Sequence, residues 1–214
     1  MILVGELSLW LALLMCVWSL TLSLTGGHLR RGDLVVSGVR GLHAAAGLVV
    51  LAALGLWTAL LGDDYSVGYV VSVTRANLPA PFKFSAFWAG RAGAMLLWSL
   101  ALAVCATIVT WHRRGRDRAS MPWVTGTSAL VLLLFLLATV LPASPFAPVE
   151  WAPGEGQGLD PRWRHFATAL HPLLLTVGYA LSAIPFAFVV GETFSRRASA
   201  GRTGAARPWA EVCW

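Results

Sequence analysis

Residues 121–141, MPWVTGTSALVLLLFLLATVL, carry no charge and decide the fold class of the chain. They lie within an uncharged window from Ala119 to Val149, longer than the roughly 20 residues that a helix needs to cross the hydrocarbon of a bilayer. Four other uncharged windows are long enough to do the same: Leu7–Leu29, Gly41–Gly62, Ala92–His112 and His165–Gly191. Such windows have no polar face to present to water, so a soluble enzyme is excluded.

The composition agrees with these windows. Of 214 residues, 57% are hydrophobic and 12% are charged, and the mean hydropathy is +0.69, whereas about 25% of a soluble domain is charged. We predict an all-α polytopic integral membrane protein, built as one membrane domain with its amino terminus outside. Its five transmembrane helices are predicted at about 5–27, 41–62, 92–112, 121–142 and 168–191.

The basic residues predict the orientation. Eleven arginines fall on one side of the membrane, in short loops and in the tail: Arg30, Arg31, Arg40, Arg113, Arg114, Arg116, Arg118, Arg196, Arg197, Arg202 and Arg207. The other side carries five basic residues in longer segments: Arg75, Lys83, Arg91, Arg162 and Arg164. Because loops rich in Arg and Lys stay in the cytoplasm, the arginine side is predicted to be cytoplasmic, in the plasma (inner) membrane. The net charge of +6 therefore reflects topology and not nucleic-acid binding.

Both ends of the chain carry a prediction. The first window has Glu6 at its start and no basic region before it, so we predict a retained span and not a cleaved signal peptide. A basic cytoplasmic tail, 192–209, leads into the run 208–214, PWAEVCW. That run is predicted to start a sixth helix: either it is a short interfacial end, or the chain is the leading part of a longer architecture whose remainder lies on another polypeptide or is missing.

Two longer external segments, 63–91 and 143–167, connect the spans outside the membrane. The first is too polar to span and too apolar for a free loop, and its scattered aromatic residues predict a segment along the membrane interface. The second is rich in Pro and Gly, which predicts an ordered or semi-ordered loop without regular secondary structure. If the protein has a working surface, it faces outward.

Several side chains are candidates for ligation. His171 and Pro172 open the predicted fifth span, where Pro172 suits the first helical turn. The His171 imidazole would then lie near the outer surface, either as a ligand to a metal or haem iron or hydrogen-bonded to a loop. His165 is predicted to be a loop residue, and His43 is predicted to make an interhelical hydrogen bond. The cysteines stand singly and predict small buried side chains, not a metal site: Cys16, Cys105 and Cys213.

Two motifs resemble those of a known family. The run 77–98, NLPAPFKFSAFWAGRAGAMLLW, is similar to a segment of the CcmF (cytochrome c-type haem lyase subunit) branch of haem-handling proteins in cytochrome c maturation. In that branch Asn-Leu-Pro, a Lys and Phe/Leu-Trp-Gly-Gly-x-Glu-Gly-Ser-Leu-Leu-Leu-Trp precede a span. The run 171–179, HPLLLTVGY, resembles the branch's His-Pro-Pro-x-Leu-Tyr-x-Gly-Tyr, and Leu159-Asp160-Pro161 resembles its approach. The resemblance covers nearly the whole chain, as the leading part of such a protein.

The resemblance implies a function in haem handling for covalent haem attachment to apocytochrome c at the outer face of the membrane. It implies that His171 is one axial ligand to haem iron, with Trp88, Arg91 and Tyr179 as further cofactor-binding residues. The cofactor would be b-type haem, as transient substrate or bound group. Implied partners are apocytochrome c and a second membrane subunit with a Trp-rich haem motif and the other axial His. The chain alone would not catalyse.

The chain also departs from the family pattern. Ala92 stands in place of the acidic residue, Leu173 in place of the second Pro, and Thr176 in place of the Tyr. The Trp-rich motif, Trp-Gly-x-x-Trp-x-Trp-Asp, is absent from the sequence. These departures leave a second hypothesis open: a non-catalytic membrane scaffold, or a diverged fragment that no longer binds haem.

Overall fold

The computed structural model describes residues 2–112, 119–142, 144–151, 153–195 and 207–212. Its helices are α1 (Ile2–His28), α2 (Gly32–Leu61), α3 (Gly68–Val73), α4 (Ala80–Ala86), α5 (Arg91–His112), α6 (Met121–Val140), α7 (Phe166–Phe194) and α8 (Arg207–Val212). A 3₁₀ turn, Pro161–Arg164, leads into α7. Helix α8 lies where the helix start near the end of the chain was predicted.

Five helices, α1, α2, α5, α6 and α7, are long and apolar enough to cross a membrane. The chain is therefore an all-α polytopic membrane protein, as predicted. Helix α1 packs against α2 and α6, and α5 packs against α2, α6 and α7. We call the end of the bundle that carries 62–90 and 141–165 the platform end, and the end where α1 joins α2 the Arg-rich end. The predicted basic loop 113–118 and the tail 196–206 lie outside the described residues.

Small residues bring the first two spans together. A Cβ atom on Gly38 would lie 2.2 Å from Ser23 Oγ and 3.0 Å from its backbone nitrogen. Small side chains of this kind let helix backbones approach closely in a membrane, where packing and not the hydrophobic effect drives association. The interhelical hydrogen bond predicted for His43 is confirmed, since its Nε2 lies 2.9 Å from Thr110 Oγ1 on α5.

Helices α2 and α7 begin earlier than the predicted spans 41–62 and 168–191. Helix α2 starts at Gly32, nine residues before the window, because Asp33 and Arg40 can reach water while the backbone stays helical. Helix α7 starts at Phe166, so Pro172 lies in its second turn and the prediction of a first-turn proline was wrong. The C-cap of the 3₁₀ turn is His165, which is also the N-cap of α7, so the helix begins directly after it.

The two connecting segments of the platform end form one ordered layer. Backbone N–H groups of Gly68 and Val149 donate to the carbonyls of Ala147 and Ser66, at 2.9 and 3.1 Å. Further along, Gln157 N–H donates to Val71 O at 2.8 Å. We call this layer, residues 62–90 with 144–151 and 153–160, the platform. Within the platform, α4 packs against α2. The platform thereby positions the residues that lead into α5.

Candidate functional site around His171

His171 lies on α7 at the platform end, and its side chain is exposed. It lines an open groove of about 420 Å³, together with Leu174, Leu175, Gly178, Tyr179 and Ser182. These residues recur at the spacing of successive helical turns, so they form one face of α7. Only 28% of the apolar window of α7 is buried, against 39–50% in the other spans. The groove face of α7 is therefore open to another molecule.

Tyr179 forms the aromatic part of this groove. The ring is 59% exposed and stacks on Trp98 of α5, with ring centroids 5.7 Å apart. Trp98 stacks in turn on Phe135 of α6 at 5.3 Å. A ring held on one face by a stack keeps its other face available. Tyr179 and His171 thus share the groove, two helical turns apart.

Trp88 does not line the groove. Its side chain is only 5% exposed, and its indole N–H donates to the carbonyl of Ala169 at 2.9 Å. Pro172 has no N–H to offer the carbonyl four residues earlier, so this turn of α7 lacks one of its own hydrogen bonds. Trp88 therefore ties the platform to the weakened turn that carries His171.

We expect Trp88→Phe to destabilise this turn of α7 without leaving a large cavity in the core. The variant keeps an aromatic ring but loses the N–H donor, which costs about 1 kcal/mol in free energy of unfolding. If His171 binds haem, the haem dissociation constant should also rise severalfold. Thermal unfolding in detergent and haem titration measure the two effects. Trp151→Phe is the control, because Trp151 is 89% exposed; equal effects of the two variants would contradict the positioning role.

Tyr69, which the sequence indicated only as one interfacial aromatic, is the centre of the platform. Its hydroxyl group lies 2.9 Å from the carbonyls of both Ala86 and Phe87, and it accepts the N–H of Gly90 at 3.1 Å. Burial raises the pKa of the Tyr69 hydroxyl above its ordinary value. The spacing Trp88-x-Gly90-x-x-Gly93 is the sequence signal for this contact, since both glycines lie against the Tyr69 side chain.

Most of the five basic residues that were predicted on the outer side have a hydrogen-bond or ion-pair partner. Lys83 is buried in an ion pair with Asp63. Arg75 pairs with Glu155 at 3.0 Å, and Arg162 with Asp160 at 2.8 Å. Arg164 donates to the carbonyl of Leu159 at 3.3 Å. Among the described residues Arg91 is exposed, opens α5 one helical turn after Trp88, and has no hydrogen-bond or ion-pair partner.

The groove fits one axial ligand of a haem and no complete metal site. Within the described ranges, no group of three or more His, Cys, Asp or Glu side chains could hold a metal ion. A single exposed imidazole beside apolar and aromatic side chains is suited to one axial position on haem iron and to contact with the macrocycle. A second ligand would have to come from outside these residues.

No protein-family model matches the chain. Curated relatives do match it along almost its whole length. It is 31% identical over 213 residues to the cytochrome c-type biogenesis protein CcmF of Pseudomonas aeruginosa, which covers 98% of this chain and 32% of the relative. It is 30% identical to the cytochrome c-type biogenesis protein CycK of Rhizobium meliloti, which covers 98% of this chain and 31% of the relative. The chain is homologous to the CcmF family.

A solved structure agrees with this relationship. The CcmF-like chain superposes on a structure described as cytochrome c haem lyase CcmF with a TM-score of 0.84, at 24% sequence identity. All of this chain and 33% of that chain are covered. At this level of sequence identity, the structural similarity establishes the fold only. The CcmF-like chain spans about a third of the length of the relatives that it matches.

The three residues that depart from the CcmF motifs do not line the groove. Thr176 is 4% exposed and packs inside the bundle. Leu173 is partly buried against the core, as is Ala92 at the start of α5. None of the three lines the groove that contains His171 and Tyr179. The open face of α7 therefore retains the two motif residues that could contact a ligand.

Proposed function

We propose that this CcmF-like chain takes part in cytochrome c maturation by holding haem for its covalent attachment to apocytochrome c at the outer face of the membrane. The observation that carries the proposal is the exposed His171 imidazole on the open face of α7, above a groove with a stacked Tyr179. Haem is the substrate here, in the b-type form that it has before attachment. His171 would occupy one axial position.

The side chains around His171 have separate parts in this proposal. Tyr179 would contact the edge or face of the macrocycle, since its free ring face adjoins the groove. Arg91 would pair with a haem propionate, because a guanidinium forms strong charge-assisted bonds to carboxylates. Trp88 would act through α7, as a positioning residue for His171 and not as a haem contact. When bound, the haem supplies the vinyl groups for thioether formation, and the chain holds and orients it.

The proposal requires a second polypeptide or a longer chain. One imidazole leaves the other axial position open, and the sequence has no Trp-rich haem motif. The open face of α7 is suited to packing against a membrane subunit that supplies both, since Gly178 and Ser182 allow close approach of a helix. We place His171 at the outer face of the inner membrane on the basis of the arginine distribution.

Co-purification tests the proposal directly. The tagged chain is isolated from native membranes in mild detergent, and absorbance spectra and mass spectrometry are recorded on the same sample. The expected result is a Soret band together with a membrane protein that carries the Trp-rich motif. A colourless sample without such a partner would favour the alternative, a non-catalytic scaffold without haem, which the substitutions at Ala92 and Thr176 suggest.

A further inference from the structure

A second cavity lies at the Arg-rich end of the bundle, opposite the His171 groove. Its volume is about 770 Å³, and it opens between the α1–α2 turn, the start of α6 and the end of α7. Its wall is partly polar and partly apolar, formed chiefly by His28, Arg30, Arg31, Pro122, Trp123 and Phe194. Neither the haem proposal nor the family motifs involve these residues.

The polar wall of this cavity is positively charged. Arg31 is paired with Asp33 at 2.6 Å, so much of its charge is balanced locally. Arg30 is exposed and has no hydrogen-bond or ion-pair partner within the part of the chain that the structure describes. It occupies the left-handed region, with φ of 54°, at the tip of the turn. Arg30 therefore contributes an unpaired guanidinium to the lining of the cavity, which the His28 side chain also lines.

Another part of the cavity lining is aromatic. Trp123 at the start of α6 stacks on Phe194 at the end of α7, with ring centroids 5.2 Å apart and planes 23° from parallel. Phe194 is 60% exposed. Tryptophan is enriched at the ends of membrane spans, at the boundary between headgroups and acyl chains, and Phe194 extends the apolar surface of Trp123. The cavity therefore combines a cationic part with an exposed aromatic part at the ends of two membrane spans.

We infer that this cavity binds the phosphate headgroup of an anionic phospholipid, with the acyl chains along Trp123 and Phe194. Basic pockets between membrane helices on the cytoplasmic side attract such headgroups. Soluble phosphate would use Arg30 but not the aromatic wall, so the two-part wall favours a lipid. The site is distant from His171, and the inference does not depend on haem binding.

The test is lipid binding by the full chain in neutral detergent, followed by native mass spectrometry. Phosphatidylglycerol is titrated into the wild-type chain and into Arg30→Asn, which removes the charge and suits a positive φ. A basic residue near a lipid surface contributes about 1 kcal/mol, so R30N should weaken phosphatidylglycerol binding about fivefold. Arg30→Lys should retain most of the affinity. Unchanged thermal unfolding of R30N would show that the turn still folds, as this proposal requires.

Three comparisons decide the result. Arg40→Gln is the matched charge control, because Arg40 is exposed on α2 but does not line the cavity. An equal loss of phosphatidylglycerol affinity in this variant would mean that diffuse surface charge causes the effect, and it would overturn the site. Equal affinity for phosphatidylcholine would overturn it as well. Competition by glycerol 3-phosphate at similar concentrations would identify a site for soluble phosphate and contradict the lipid assignment.

Discussion

His171→Ala is expected to lower the haem content of the purified assembly about tenfold or more, while the chain still inserts and still captures its partner. Removing a residue that only supports a metal ligand typically costs 10–100-fold in affinity, and removal of the ligand itself should cost at least as much. The groove offers no replacement imidazole among its lining residues. Haem is quantified from the Soret absorbance per mole of chain.

His165→Ala is the matched control for this experiment. His165 is also exposed at the platform end, but it is the N-cap of α7 and lies outside the groove. Haem should remain in that variant, and added imidazole should restore part of the Soret band in His171→Ala. If His171→Ala retains haem and partner at wild-type levels, His171 is not a ligand, and other residues of the assembly hold the haem.

The five spans could be predicted because a membrane span is a local property of the sequence. About 20 consecutive apolar residues suffice to identify one. The start of α2 could not be found in this way, since a helix continues past the hydrocarbon and its charged residues then reach water, as Asp33 and Arg40 do. An uncharged window indicates which part of a helix lies inside the bilayer, but it does not give the full length of the helix.

The platform could not be predicted, because its contacts join residues that are far apart in sequence. Backbone hydrogen bonds connect Ser66 to Val149 and Val71 to Gln157, and no local periodicity in the sequence predicts them. The ion pair of Lys83 could not be predicted for the same reason. Its partner Asp63 lies twenty residues earlier in the chain, so the local sequence presents Lys83 as an unpaired external cation. Sequence reasoning identified which residue types were unusual in this segment, but not which of them face inward.

The two candidate residues on α7 were easier to predict as neighbours than those outside it. His171 and Tyr179 are two helical turns apart and lie on one face, a relationship that helical spacing alone provides. Trp88 matched a motif, but a motif does not distinguish a side chain that touches a ligand from one that supports the neighbouring helix. The 2.9 Å bond from its indole N–H to Ala169 makes that distinction.

Gly93→Ala is expected to have the largest effect on stability. A Cβ atom at this position would lie 1.8 Å from the Phe87 carbonyl oxygen and 2.4 Å from the Tyr69 hydroxyl. These two groups lie 2.9 Å apart in a buried hydrogen bond, so neither can move away without breaking it. We expect a loss of about 3 kcal/mol in free energy of unfolding, at the upper end of overpacking effects.

Gly47→Ala is the control, since Gly47 is also within a membrane helix and a Cβ atom there would contact nothing within 4 Å. Alanine is the better helix former, so this variant should be neutral or about 1 kcal/mol more stable. Thermal unfolding of both variants in the same detergent gives the comparison. Because Trp88 lies between Phe87 and Gly93, displacement of this segment should also weaken the bond to Ala169 and with it the haem content. A Gly93→Ala chain as stable as Gly47→Ala would mean that Tyr69 does not hold the platform to α5.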